Sequence, residues 1–157
     1  MHHEFSPIIT EDRLTLALDY VATSTLALAR KILQQELTID TICFFAQSTA
    51  EYTFLLEAVR KRGTESKFSH GPTTYVDTDI EVAGQHIAIL GVRQPDPTRH
   101  WVGYGDYPLS DDDYGALRTG SNPFIREISS GRGQDLRQFE HPDSDVLGFA
   151  FRSADHL

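Results

Sequence analysis

Seven histidines, one cysteine and a run of three aspartates are the side chains in this 157-residue chain with the clearest capacity for chemistry. His70, His86, His100, His141 and His156 stand far apart. No His-x-His or His-x-x-x-His pair sets two imidazoles on one face, the arrangement on which many zinc and iron sites draw. The adjacent His2 and His3 make a pair that would catch a metal only adventitiously. One set of donors can still be drawn, His70 and His100 with Glu140 or Asp106, but ordinary surface or hydrogen-bonded histidines explain these residues more simply. Cys43 has no partner for an internal disulfide, and a single cysteine excludes a Cys-rich zinc site. Its neighbours Ile42, Phe44 and Phe45 read as a strand with a buried thiol. Asp111-Asp112-Asp113 has no alternating donors, central glycine or terminal glutamate of a calcium loop and suits the start of a helix instead. Ser129-Ser130-Gly131-Arg132-Gly133 has the composition of a backbone anion nest, though a hairpin turn explains it as well. No Gly-x-Ser-x-Gly elbow occurs.

The elements that must position such groups begin with a loose arm over residues 1–9. A helix follows over 10–35. Leu14, Leu18, Val21, Thr25, Leu28 and Ile32 step by threes and fours along one face, with Thr10 as N-cap, Glu11 and Asp12 in the first turn and Arg30 and Lys31 near the end. Thr38–Ala46 is β-branched and aromatic, apolar on both parities near its end, and fits a central strand. Ser48-Thr49-Ala50-Glu51 spells a capping box for a second helix, with Gly63 as its natural stop. Extended segments follow, punctuated by Gly71-Pro72, Asp77-Thr78-Asp79 and Ala83-Gly84-Gln85, and they end at Gln94-Pro95-Asp96-Pro97. His100–Leu109 alternates small and aromatic residues, and glycines inside a strand mark close approach of a backbone or ligand. A short acidic helix capped by Ser110, then strands near 123–130, 136–140 and 144–151, complete the chain. Module one spans 38–98 and module two 99–153. Each reads strand, helix, strands, so the fold class is α+β: paired βαβββ modules forming a curved mixed sheet, with an extra N-terminal helix, in a single domain over 10–157.

Bulk properties narrow the function. The net charge of −9 argues against nucleic acid and anionic membrane surfaces as partners. No apolar run approaches the roughly 20 residues of a membrane span, and no basic-then-apolar leader opens the sequence. The expectation is a cytoplasmic protein, monomer or homodimer.

Several short motifs, in consistent order from about residue 12 to 152, resemble the vicinal oxygen chelate superfamily (glyoxalase, bleomycin resistance, dihydroxybiphenyl dioxygenase), in particular its YecM-like branch. They are Asp40-Thr41-Ile42, His70-Gly71-Pro72, Ile80-Glu81-Val82-Ala83, Ser129-Ser130-Gly131-Arg132-Gly133 and His141-Pro142. The resemblance implies a cup-shaped sheet. In that superfamily a divalent metal sits in the cup, held by donors from the first and last strands of each module, and acts as a Lewis acid. Here the corresponding positions fall on Thr41, Gly91, Gly103 and Phe151 or Arg152, which do not hold a divalent ion.

The resulting expectation is a small-molecule-binding protein of glyoxalase or bleomycin-resistance type without the usual metal ligands and with no cofactor. Thr41, Cys43, His70, Ile89, Arg93, Trp101, Tyr107 and Arg152 would line or flank the cup. Trp101 and Tyr107 would stack on the ligand, while Arg93 and Arg152 would orient a carboxylate or phosphate. Two alternatives remain open. One is a metal-dependent lyase, isomerase or dioxygenase using zinc, manganese or iron at displaced ligands. The other is a protein-interaction domain without a pocket.

Overall fold

The computed structural model describes residues 3–117, 120–129 and 134–153. His2, His156 and the 130–133 part of the Ser-Gly-Arg loop lie outside the described residues.

The elements run α1 (Glu11–Leu33), β1 (Thr41–Phe45), α2 (Thr49–Arg60), β2 (Thr64–Glu65), β3 (Thr73–Val82), β4 (Gln85–Arg93), β5 (Gly103–Leu109), α3 (Asp111–Gly115), β6 (Ile125–Ser129), β7 (Asp135–Phe139) and β8 (Val146–Arg152). The fold is α+β, with an N-terminal helix and one curved, open, mixed sheet of eight strands in the order β2-β3-β4-β1-β5-β8-β7-β6. That order reads the same from either edge: each half places its first strand at the centre, parallel to its own last strand. The two first strands, β1 and β5, join the halves antiparallel, with Thr41 opposite Asp106 and Phe44 opposite Gly103. Paired βαβββ modules are thus the observed architecture.

All three helices pack against the sheet, and local chemistry sets their ends. Thr10 caps α1 by accepting the Arg13 N–H, and Ser48 and Ser110 cap α2 and α3 in the same way. The two modules are nevertheless unequal. The helix of module one has 12 residues and lies on β3 and β4; the corresponding helix of module two has only 5. The 23-residue α1 supplies the missing cover by lying across β5 and β8. It can approach closely because Gly105 and Gly148 sit side by side on those strands. A Cβ on Gly105 would come within 2.7 Å of the Thr25 side chain of α1, and one on Gly148 within 2.5 Å of the Tyr107 ring. Tyr107 itself is fully buried in this layer and donates its hydroxyl to the Thr25 carbonyl.

Several local expectations are revised. Residues 3–9 are not a loose arm: Phe5 and Ile8 join the core at 5% and 2% exposure. The segment is pinned at two points. The Ile8 N–H donates to Glu51 Oε2 at 2.8 Å, and His3 Nε2 lies 2.6 Å from Asp145 Oδ2 while the Tyr20 hydroxyl donates to the other Asp145 oxygen at 2.5 Å. Glu51 therefore does not close a capping box on Ser48; its second oxygen accepts the Gln47 N–H instead. Asp77-Thr78-Asp79 is not a turn, because β3 runs through it with a bulge between Asp77 and Ile80. The turn falls at Ala83-Gly84, where both φ angles are positive (51° and 76°), as a two-residue hairpin loop requires. Gly63 is needed for a reason other than a left-handed helix stop: a Cβ there would meet the Asp77 carbonyl oxygen at 1.8 Å, across the β2–β3 pair. No helix of the described residues is long and apolar enough to cross a membrane.

Candidate functional site

The sheet face away from the helices holds a cavity of about 240 Å³. Alternate residues of the four central strands form its floor: Thr41 of β1, Ile89 of β4, Tyr104 and Asp106 of β5, and Phe149 and Phe151 of β8. Thr73 and Tyr75 of β3, with Phe68 and His70 of the preceding loop, wall one side. Ile128, Leu136 and Gln138 of β6 and β7, with Gln134, wall the other, and Phe45, Arg93 and Arg99 close one end. Both modules therefore contribute, and the lining is largely aromatic with a few polar groups, the usual constitution of a ligand site.

Beneath part of the floor is a sealed layer. The Tyr75 and Tyr104 hydroxyls are hydrogen-bonded to each other above Cys43, which has no exposed surface. Gly91 makes room for this arrangement, since a Cβ there would stand 2.7 Å from the Tyr75 ring and 3.0 Å from Cys43 Sγ. Burial pushes the Cys43 thiol up to about 12, so it stays protonated and inert near neutral pH. Tyr104 is likewise held well above the ordinary phenol range, by burial first and by its neighbours Cys43 and Tyr75 after it.

Two groups in the cavity have hydrogen-bonding capacity left over. The Asp106 carboxyl has no hydrogen-bond partner among the described residues. Burial first, and the charge of Asp40 second, hold it well above the usual carboxylate range. The Thr41 hydroxyl, on the residue opposite in the ladder, is turned to Asp40 at 3.0 Å. At the other end, Arg93 Nε is buried without a partner, and Nη2 reaches only to 3.6 Å from Asp96 Oδ2. Arg99 approaches the same carboxylate at 3.9 Å and lies over the Phe45 ring. Asp96 is held below the ordinary carboxyl value, chiefly by the backbone and hydroxyl of Thr98.

The residues expected in the cup separate into three groups. Thr41, His70, Ile89 and Arg93 do come together in the cavity. Cys43 faces the same way but is closed off by the tyrosine pair, and Trp101 stands just outside, stacked on His100 and tilted against Phe45. Tyr107 and Arg152 point to the opposite, helix-covered face, a reversal of the expected parity. The Arg152 guanidinium lies 4.3 Å from the Tyr114 ring centroid and 3.8 Å from Asp111. The reason is α1. Its close approach requires the glycines of β5 to face it, and strand alternation then turns Tyr104 and Asp106, not Tyr107, into the cup. The glycine alternation was the available signal for Tyr104 and Asp106, but it marked a helix contact and not a ligand contact.

The same shift changes the positions compared with superfamily metal ligands. The cup-facing residue of β5 is Tyr104 rather than Gly103, and on β8 it is Phe151 rather than Arg152. A hydroxyl, a bare Cα, a phenol, one carboxyl and phenyl rings do not form the donor set of a divalent ion. The displaced set is not assembled either. His70 is at the rim with Nδ1 2.8 Å from the Phe68 carbonyl, His100 is outside the cavity on Trp101, and Glu140 accepts from Gln138. Among the described residues no three of His, Cys, Asp and Glu converge.

No known family model matches the chain, and no curated protein matches it. It is similar to a solved structure described as "Structural Genomics, Protein EC4020", with a TM-score of 0.54 at 15% identity over 97% of this chain and 91% of the other. At that identity the likeness concerns the fold alone.

Proposed function

We propose that the chain is a small-molecule-binding protein of glyoxalase or bleomycin-resistance type whose cup does not present the donors of the usual metal site. The observation that carries this reading is the cavity itself, with Arg93 Nε buried and unpartnered at one end of an aromatic lining. A buried unsatisfied donor costs about 1–3 kcal/mol, and a ligand anion would relieve that cost while the aromatic walls hold its body. A protein-interaction domain has no need of such a concavity.

Isothermal titration of the full chain with 2-naphthoate tests the reading. The expected result is 1:1 binding that Arg93→Gln weakens about tenfold or more, the scale of one charged hydrogen bond. No binding, or binding indifferent to Arg93, overturns it. Elemental analysis of the purified protein separates the metal-dependent alternative: stoichiometric zinc, manganese or iron would favour a lyase, isomerase or dioxygenase.

A further inference from the structure

The two unsatisfied groups of the cavity lie at opposite ends of one line. Asp106 stands opposite Thr41 in the ladder, and Arg93 opposite Phe45. Four residue steps along β1 separate those levels, about 13 Å of strand. Between them the floor presents the Tyr104 and Phe149 rings, edge to face at 4.9 Å.

The ends differ in sign. Near Asp106 no N–H or O–H of the described residues is offered to the carboxyl, and the charge of Asp40 bears on the same place. A cation brought there is favoured by the Asp106 carboxyl and by the nearby charge of Asp40, and that same charge disfavours an anion. Near Arg93 the guanidinium is only loosely engaged by Asp96, and Arg99 adds a second positive charge. A ligand of uniform sign would satisfy one end and oppose the other.

We propose that the cup takes an amphoteric molecule, with a cationic nitrogen on Asp106, an anionic group on Arg93 and a flat apolar middle over Tyr104 and Phe149. This rests on the reading of the cup as a ligand site. The ligand nitrogen supplies the N–H donors that the surrounding strands do not offer to the Asp106 carboxyl. The aromatic middle fixes orientation, because a reversed molecule would set like charges together at both ends.

Single-ring fragments test each end separately, so the length of the natural ligand does not matter. Amide shifts of the isotope-labelled full chain would be followed during titration with benzylammonium, benzyl alcohol and benzoate. Benzylammonium is expected to shift Thr41 and Asp106 and to bind at least fivefold more tightly than benzyl alcohol. Asp106→Asn, which keeps the shape of the neutral acid, should abolish that preference and leave benzoate within about twofold. Benzoate should shift Arg93 and lose about tenfold in Arg93→Gln. If benzylammonium binds no better than benzyl alcohol, or keeps its advantage in Asp106→Asn, the amphoteric ligand is excluded while benzoate at Arg93 still supports a ligand cup. If none of the three fragments shifts any cup residue, the ligand cup itself falls and the inference falls with it. The comparison of charged and neutral fragments in the unaltered protein holds even if a variant fails to fold.

Discussion

The two faces of the sheet are built from the same strands by alternate residues, and they are finished in opposite ways. On the helix side, Gly105 and Gly148 give up their side chains so that Thr25 and Tyr107 can close the gap, and the Tyr107 hydroxyl finds a carbonyl. Arg137 Nε is buried there without a hydrogen bond, but its guanidinium is engaged, lying over the Tyr114 ring and donating from Nη1 to the Tyr114 hydroxyl. On the cup side the side chains are large, yet Asp106 and Arg93 Nε are left without hydrogen bonds. The difference separates a face filled by the chain's own helices from one left as an open concavity. A concavity of that kind, with aromatic walls and Arg93 Nε buried and unpartnered at one end, points to the face where a second molecule belongs.

Substitutions on the two faces should show that contrast. The largest effect belongs to Tyr107→Ala on the sealed face, which empties a fully buried ring site. It should destabilise the fold by about 3–5 kcal/mol, measured by urea unfolding. Next comes the pH dependence of Asp106. Its carboxyl titrates above the ordinary 3.8 in the folded chain, so at intermediate pH the folded state holds a proton that the unfolded state has lost. The stability it contributes is complete below the ordinary value and drains away as pH rises through the raised one. Asp106→Asn should flatten that fall; a Tm-against-pH curve unchanged by the substitution would contradict the burial assigned to this group. The smallest effect is expected for Tyr104→Phe, which removes one hydroxyl from the tyrosine pair and should cost about 1 kcal/mol. A much larger loss would mean that the cup floor is as tightly settled as the helix side.

How far the sequence reveals this molecule depends on which physical signal carries each part. Ser48 and the stripe from Leu14 to Leu28 report local helix energetics, so α1 and α2 fall within two residues of expectation. The Ala83-Gly84 turn is legible for the same reason. The arm is not, because Phe5 and Ile8 gain their burial from partners distant in sequence. Strand facing is also non-local. In β5 the sequence shows two alternating sets, but which set faces the cup is decided by a helix some eighty residues earlier, through the Thr25 carbonyl and Gly105. That one ambiguity placed Tyr107 and Arg152 on the wrong face, hid Tyr104, and left Asp106 visible only as one candidate donor of a displaced metal set. Thr41, Ile89 and Arg93 were legible because β1 and β4 are neighbours within one module, in parallel register.

The borrowed cover over module two also bears on biosynthesis. The helix α1 is made first, yet it lies against β5 and β8, and β8 ends at Arg152. At translation rates of about 5–20 residues per second, its apolar stripe emerges on the order of ten seconds before its last partner strand exists. Module one can assemble around α2 in that interval. The nascent chain is therefore most exposed to aggregation and to chaperone capture at its oldest helix, and shortening that helix would relieve the hazard only by uncovering the second half of the sheet.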